Sequence, residues 1–250
     1  MDRLDGQVAL VTGAGTGIGR ATARAFCAAG CRVALLGRRP EPLEKTAADL
    51  RAAGAECLPV SADVTDTVAV QQVVGQLLDR WGRIDVLVNN AGTNVAQRDL
   101  ASISVTDWAR VLDVNLTGTF VVTQAVLPTM RSQRAGTVIN VSSIAGHRPM
   151  ALTGPAYSAA KAGVNSFTEM LNVTERAHGI RACAVCPGEV ATPILDQRPH
   201  PPSEQARALM LQPDDLAQVL LLVASLPQRA TVELLTVTPT VRRDWAAEVD

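Results

Sequence analysis

Short apolar runs alternate along the chain with longer stretches in which apolar residues recur at helical spacing. The apolar runs predict seven β-strands, at residues 7–13, 31–37, 55–64, 84–92, 136–143, 180–188 and 232–239. The stretches between them predict helices at 21–30, 40–54, 68–81, 106–131, 155–178 and 214–226, with Thr106 as the cap of the fourth. This alternation indicates right-handed β-α-β units, and therefore a parallel sheet with helices on both faces.

Nothing in the sequence divides this pattern, since it has no internal repeat, low-complexity block or long linker. We therefore predict a single α/β domain over residues 1–250. The least regular part is 191–212, which contains Pro193, Pro199, Pro201 and Pro202. Because a long segment after a strand's carboxyl end lies beside the ligand crevice of such a sheet, we predict that it is the substrate loop.

Composition narrows the possible partners. Apolar residues make up 47% of the chain and charged residues 19%, with a formal net charge of -1, which gives no basic surface for nucleic acid. No apolar run approaches the roughly 18 residues needed to span a bilayer, and the start MDRLDGQ has no signal-peptide core. We expect no nucleic-acid or membrane partner, and a cytoplasmic location as the default.

The cysteines and histidines show no pattern typical of a metal site. Cys183 and Cys186 form a CxxC, but residues three apart in a strand point to opposite faces and do not easily share a metal or a disulfide. We predict buried structural thiols and no metal.

Four glycines follow the first strand and open the first helix: Gly13, Gly15, Gly17 and Gly19. A phosphate can approach the backbone where no Cβ intrudes, and a helix N-terminus supplies free N–H groups and partial positive charge. The turn therefore indicates a dinucleotide cradle, although glycines also serve tight turns without any ligand.

The end of the second strand bears on the choice of nucleotide. A protein that prefers NAD usually places a carboxylate there, whereas this chain has Gly37 followed by Arg38 and Arg39. Positive charge at this point suits a 2′-phosphate, so NADP(H) is favoured and NAD(H) remains possible. The bland alternative is a pair of solvated arginines at a helix start.

A candidate acid/base pair lies on the helix predicted at 155–178. Tyr157, the only tyrosine, and Lys161 are four residues apart and share one helical face, where the ammonium would draw the phenol pKa toward neutrality. Ser142 and Ser143 end the fifth strand, at the edge where ligands bind. Asn115 is unfavourable inside a helix unless its side chain or a locally opened turn is used.

These residues together resemble the short-chain dehydrogenase/reductase family, in its compact single-domain branch, over almost the whole chain. TGAGTGIG matches the family's TGxxxGxG turn, NNAG matches its strand-four motif, and Asn115, Ser143, Tyr157 and Lys161 fall on its catalytic tetrad. The resemblance implies a Rossmann-like, doubly wound, seven-stranded parallel sheet. It also implies a homodimer or homotetramer.

The resemblance assigns roles to these positions. Tyr157 would donate or accept the proton, Ser143 would position the carbonyl or hydroxyl group, Lys161 would lower the phenol pKa and hold the nicotinamide ribose, and Asn115 would anchor a water leading to solvent. The implied cofactor-binding residues are Gly13, Gly15, Thr16, Gly17, Ile18, Gly19, Gly37, Arg38, Arg39, Asp63, Val64, Asn90, Ala91, Gly92, Tyr157, Lys161, Pro187, Gly188, Val190 and Thr192.

The sequence thus predicts an NADP-dependent oxidoreductase that interconverts a carbonyl and a secondary alcohol. The alternatives are an NAD-dependent dehydrogenase of the same chemistry, a nucleotide-sensing regulator without turnover, and a non-redox enzyme on this scaffold. Several apolar residues suggest a small to medium hydrophobic ketone as substrate: Met150, Ala151, Leu152, Ile194 and Leu195. His147 or Arg148 could meet an acidic substrate, but both suit a solvated loop.

Overall fold

The computed structural model describes residues 4–241, which form a seven-stranded sheet between two layers of helices. All strand pairs are parallel, in the order β3-β2-β1-β4-β5-β6-β7. The strands are β1 Val8–Thr12, β2 Arg32–Gly37, β3 Cys57–Ser61, β4 Val86–Asn89, β5 Gly136–Val141, β6 Ile180–Pro187 and β7 Leu234–Val237. The predicted doubly wound parallel sheet is confirmed.

Helices connect successive strands. They are α1 Gly17–Ala28, α2 Pro40–Ala52, α3 Thr67–Trp81, α4 Val105–Leu112, α5 Gly118–Gln133, α6 Pro155–Glu175, α7 Glu204–Ala208 and α8 Pro213–Ser225. Short 3₁₀ turns lie at Ile144–Gly146, Ala151–Thr153, Arg176–His178 and Pro193–Gln197, and one π-helical turn, Asp113–Thr117, separates α4 from α5.

The two faces of the sheet carry separate apolar clusters. On one face, side chains of α1, α2 and α8, such as Phe26, Leu43 and Leu220, cover β1, β2 and β6. On the other, α3, α5 and α6 contribute Leu77, Val126 and Leu171 among others. Burial of the strands on both faces explains why they are nearly continuous apolar runs without alternation.

The strand order indicates where the ligand crevice lies. β1 lies between β2 and β4, so the chain reverses its direction of travel across the sheet at this strand. In open parallel sheets, ligands bind outside the carboxyl ends of the strands at such a switch point. The turns after β1, β4 and β5 meet there.

The predicted helix at 106–131 needs two corrections. It begins one residue earlier, and its cap is Ser104, whose hydroxyl accepts from the amide of Asp107 at 3.0 Å, so the threonine cap is wrong. It is also interrupted by the π-helical turn. The sequence signal for the true cap was the serine two residues earlier, followed three residues later by an acid.

The same segment shows that the expectation of no apolar run long enough to span a bilayer was wrong. By length and composition alone, Val105–Gln133 is apolar enough to cross a membrane. In the fold, 44% of its most apolar window is buried, and α5 packs on β4, β5, α3 and α6. The apolar character of this run is that of a helix covering the core of the sheet.

Candidate active site

The glycine turn after β1 leaves the start of α1 open to a ligand. Gly13 and Gly17 have positive φ angles of 65° and 52°, which disfavour any residue with a Cβ. A Cβ on Gly19 would lie 2.5 Å from Nδ2 of Asn90 and closer still to the carbonyl oxygen of Gly13. The side chain of Thr16, the N-cap, makes no capping hydrogen bond, so the first amides of α1 remain available to a phosphate.

Hydrogen bonds hold the NNAG turn, residues 89–92, against the end of β1. The amides of Asn90 and Ala91 both donate to Oγ1 of Thr12 at 2.9 Å, and Nδ2 of Asn90 donates to the carbonyl oxygen of Thr12 at 3.0 Å. The asparagine therefore acts as a brace between the ends of β1 and β4. A dinucleotide fits the residues present, since the turn offers close backbone approach and unpaired amides.

Tyr157, Lys161 and Ser143 come together at the ends of β5 and α6. The ammonium of Lys161 donates to the carbonyl oxygen of Val141 at 2.9 Å and lies 5.5 Å from the centroid of the Tyr157 ring. Ser143 lies within hydrogen-bonding reach of the phenol. Ser142 also lines this space, but its hydroxyl already donates to the backbone carbonyl of Lys161 at 3.1 Å.

Burial controls the protonation of this pair. Desolvation raises the pKa of Tyr157 to about 12, against smaller opposing effects of Ser143, Arg98 and Arg198. Desolvation also lowers the pKa of Lys161 to about 8. The expected drift of the phenol toward neutrality is therefore absent from this structure, because the ammonium is aimed at a backbone carbonyl and faces the ring instead of the hydroxyl.

Asn115 lies in the π-helical turn, fully buried. Its Nδ2 donates to the carbonyl oxygens of Thr93 and Val111, both at 2.8 Å, while its Oδ1 has no partner. The locally opened helix anticipated from the sequence is confirmed. The side chain fastens the segment after β4 to the helix and does not itself reach the cleft.

One cleft of about 250 Å³ joins the cradle to the Tyr157 group. The predicted site residues that line it are Gly13, Thr16, Gly17, Ile18, Asn90, Ala91, Gly92, Ser143, Tyr157, Lys161, Pro187, Gly188, Val190 and Thr192. The others lie outside its lining: Gly15, Gly19, Gly37, Arg38, Arg39, Asp63, Val64 and Asn115. His147 and Arg148 are exposed and do not line it either, whereas Met150, Leu152, Ile194 and Leu195 do.

The residues after β2 form a separate, exposed group. A guanidinium nitrogen of Arg38 lies 3.8 Å from a carboxylate oxygen of Asp63, with 62% and 37% of the two side chains exposed. The hydroxyl of Ser61 donates to the carbonyl oxygen of Arg38 at 3.0 Å. An ion pair this open to solvent contributes little, so Arg38 stays available to another anion.

Comparison with known proteins decides the assignment. The short chain dehydrogenase profile matches residues 7–202. The chain belongs to the short-chain dehydrogenase family. It is 39% identical over 238 residues to a 3-oxoacyl-[acyl-carrier-protein] reductase of Synechocystis, covering 93% of this chain and 94% of the relative. As its relatives indicate, this short-chain dehydrogenase is an NAD(P)-dependent oxidoreductase.

Two solved structures are also similar to it. A metagenomic short-chain oxidoreductase in complex with NADP superposes with a TM-score of 0.82 at 33% identity, covering 96% of this chain and 99% of that one. A 3-ketoacyl-(acyl-carrier-protein) reductase from Brucella melitensis complexed with NADH gives 0.86 at 29% identity, covering 95% and 98%. Similar folds thus bind either nucleotide.

Sequence reasoning missed the charged residues at the far end of the dehydrogenase's cleft. Arg98 and Arg198 both line it, and Arg198 pairs with Glu189 at 3.0 Å. Asn94 supports the same end, because its Nδ2 donates to the carbonyl oxygen of Thr153 at 3.0 Å. These residues sit in loops far apart in sequence, and no motif connects them.

Cys183 and Cys186 are buried in β6, as predicted, whereas Cys27 is only partly buried. All five are free thiols, and burial raises the pKa of Cys183 to about 12. A thiol with so high a pKa is protonated at neutral pH and is a poor nucleophile.

Proposed function

We propose that the protein is an NADP(H)-dependent oxidoreductase that interconverts a carbonyl compound and a secondary alcohol. The observation that carries the proposal is the single cleft in which the glycine cradle and the Tyr157–Ser143 pair face the same space. A glycine cradle alone would be compatible with any nucleotide-binding protein, and a tyrosine alone could lie on the surface of any helix. Because both lie in one cleft, a hydride could pass between a bound nucleotide and a second molecule beside Tyr157.

The bound nicotinamide supplies the hydride, and the protein handles the oxygen atom of the substrate. With its pKa near 12, Tyr157 is protonated at neutral pH and donates its hydroxyl proton to the carbonyl oxygen as that oxygen gains charge. Ser143 stabilises the same oxygen with a hydrogen bond. The phenolate left behind takes a proton from solvent, and the reverse direction begins from that phenolate.

The preference for NADP(H) rests on Arg38 and Arg39. Both follow β2 directly, and Gly37 leaves the place of the usual ribose-binding carboxylate without an acid. A 2′-phosphate there would meet a weakly held guanidinium, whereas NAD(H) would lose only that contact. NAD(H) use is the alternative within the same chemistry.

We propose one domain over residues 1–250, with 191–212 as the substrate loop, acting in the cytoplasm as a homodimer or homotetramer. The loop's position supports its role, because residues 192–195 and Arg198 line the cleft and the amide of Leu211 returns to the carbonyl oxygen of Glu189 at 3.1 Å.

The test is NADPH oxidation, followed at the nicotinamide absorbance, against ketones, diketones, oxo acids, oxo esters and quinones, with NADH in parallel. We expect turnover with NADPH that falls by about 10²- to 10⁴-fold in Tyr157→Phe, while the variant still binds the nucleotide. If the protein binds both nucleotides but reduces no carbonyl with either, the proposed reaction is wrong.

A further inference from the structure

Arg98 is a buried arginine at the substrate end of the cleft. Only 7% of the residue is exposed. Its Nη2 donates to the carbonyl oxygen of Gln197 at 2.5 Å and its Nη1 to that of Leu152 at 3.4 Å, while its Nε is buried without a partner. All of its partners are neutral carbonyls, so the hydrogen bonds leave the charge of the guanidinium uncompensated.

The surroundings of Arg98 are cationic. Its neighbours in electrostatic contact are Arg198 and Tyr157, and burial together with Arg198 lowers the pKa of Arg98 to about 10, which leaves it charged at neutral pH. Among the described residues that line the cleft, the cations are Arg98, Lys161 and Arg198, and the one carboxylate is Glu189. Glu189 is already paired with Arg198.

Arg98 belongs to the substrate side and not to the nucleotide side. Besides the cleft, it lines an adjoining cavity formed by Met150, Leu152, Pro199 and neighbouring residues, to which the glycine turn contributes nothing. Phosphates bound at the start of α1 would therefore face a different side of the cleft. Among the described residues that line the cleft, Glu189 is the only carboxylate and is paired with Arg198, so an anionic group on the second molecule in the cleft would compensate Arg98.

We propose that the substrate is an oxo acid, a carbonyl compound whose carboxylate pairs with Arg98 while its carbonyl oxygen meets Tyr157. The proposal rests on the reaction proposed above and names its substrate class. A buried cation without an anionic partner is unfavourable, and a carboxylate offers the planar pair of oxygens that a guanidinium binds best. An uncharged hydrophobic ketone, the expectation from the sequence, would leave the charge uncompensated.

A purely structural role for Arg98 makes a different prediction. Its bonds to Leu152 and Gln197 hold two loops together, and losing them would impair every substrate alike. A substrate-binding role impairs oxo acids selectively. The ratio of activity on an acid to activity on its own methyl ester separates the two, because the ester keeps the carbonyl and the size but has no charge.

The experiment compares pyruvate, acetoacetate and levulinate with their methyl esters, using NADPH-saturated protein. We expect the wild type to favour at least one acid over its ester in kcat/KM. Arg98→Met should lower that preference about 10- to 100-fold, in addition to any loss that acid and ester share because the bonds to Leu152 and Gln197 are gone. Arg98→Lys should keep part of the preference. The matched control is Arg148→Met, an exposed arginine in a neighbouring loop, which should leave it unchanged.

Two outcomes would overturn the proposal: a wild-type preference for every ester, or an acid-to-ester ratio that is the same in wild type and Arg98→Met. If Arg98→Met does not fold, the wild-type ratio and Arg98→Lys still decide. Calorimetric binding of the three acids to the NADP⁺ complex, which has no hydride to transfer to them, gives a readout that needs no turnover. If the protein reduces uncharged ketones but binds none of the acids, only the oxo-acid proposal is wrong. If it binds the acids but reduces no carbonyl compound, the proposed reaction is wrong.

Discussion

The nucleotide end of the cleft is built from backbone, and the substrate end from side chains. At the nucleotide end, the turn after β1 presents bare amides, and Asn90 braces it from the adjacent strand. At the substrate end, three loops are held by side chains that reach backbone atoms, as in the bonds from Arg98 to Leu152 and Gln197. The backbone-built end suits a ligand that is always the same, the nucleotide. At the other end, a change in the loop side chains would change which substrate fits.

Among the variants that distinguish the two ends, the largest effect should come from Ser143, which lies at the border between them. Ser143→Ala removes the hydrogen bond that Ser143 would give to the reacting oxygen, and we expect kcat to fall about 10²- to 10³-fold in NADPH-dependent carbonyl reduction. Ser142→Ala is the matched control, because that hydroxyl is committed to the backbone of Lys161 and its loss should cost about 1 kcal/mol of stability with little change in kcat. Equal losses of kcat in the two variants would remove the distinction between the serines.

A second effect concerns the charge buried between the two ends. The lowered pKa of Lys161, about 8 against 10.5 for the free side chain, means that the folded state carries the cost of its charge below pH 8. That cost, on the order of 3 kcal/mol, disappears as pH rises toward the unfolded value. Lys161→Met should therefore be more stable than wild type by about 2 kcal/mol at pH 7, after losing the bond to Val141.

The measurement is urea unfolding without nucleotide at pH 7 and pH 9.5, where the gain from Lys161→Met should shrink to near zero. The chain's other lysine, Lys45, is exposed on α2, and Lys45→Met should change the free energy of unfolding by less than about 0.5 kcal/mol at either pH. A gain that stays constant with pH would show that the charge of Lys161 is not its cause.

The contrast between the two ends also explains what the sequence could and could not predict. The glycine turn, the strand-four asparagine and the opened helix at Asn115 were predictable, because each departs locally from the preferences of a strand or a helix. Arg98 was not, since an arginine in a polar loop looks solvated until the fold packs two other loops around it. The phenol's pKa was also misjudged, because four-residue spacing gives a shared helical face but not the direction of the ammonium.

A third variant tests whether nucleotide binding depends on close approach of the phosphates to the backbone of the glycine turn. In Gly19→Ala, the new methyl group would lie 2.5 Å from Nδ2 of Asn90 and force the turn apart, so we expect the Kd for NADPH to rise about 10-fold or more. Gly75 is a matched control, because a Cβ there meets nothing within 4 Å and lies inside α3. Gly75→Ala should stabilise the protein by up to about 1 kcal/mol and leave the Kd unchanged, as fluorescence titration can determine.

The smallest effect lies at the adenosine side, where the nucleotide end itself relies on a side chain. Arg38 is exposed and only loosely paired with Asp63, so its attraction for a 2′-phosphate is screened by solvent. In Arg38→Asp, a second acid beside Asp63 would repel that phosphate, and the preference for NADPH over NADH, measured as a ratio of kcat/KM, should fall about 10-fold. Arg24→Asp changes the net charge equally on the exposed face of α1 and should leave the ratio unaltered. An unchanged ratio in Arg38→Asp would remove Arg38 from nucleotide choice, and the preference would then depend on Arg39 or on the backbone of the glycine turn.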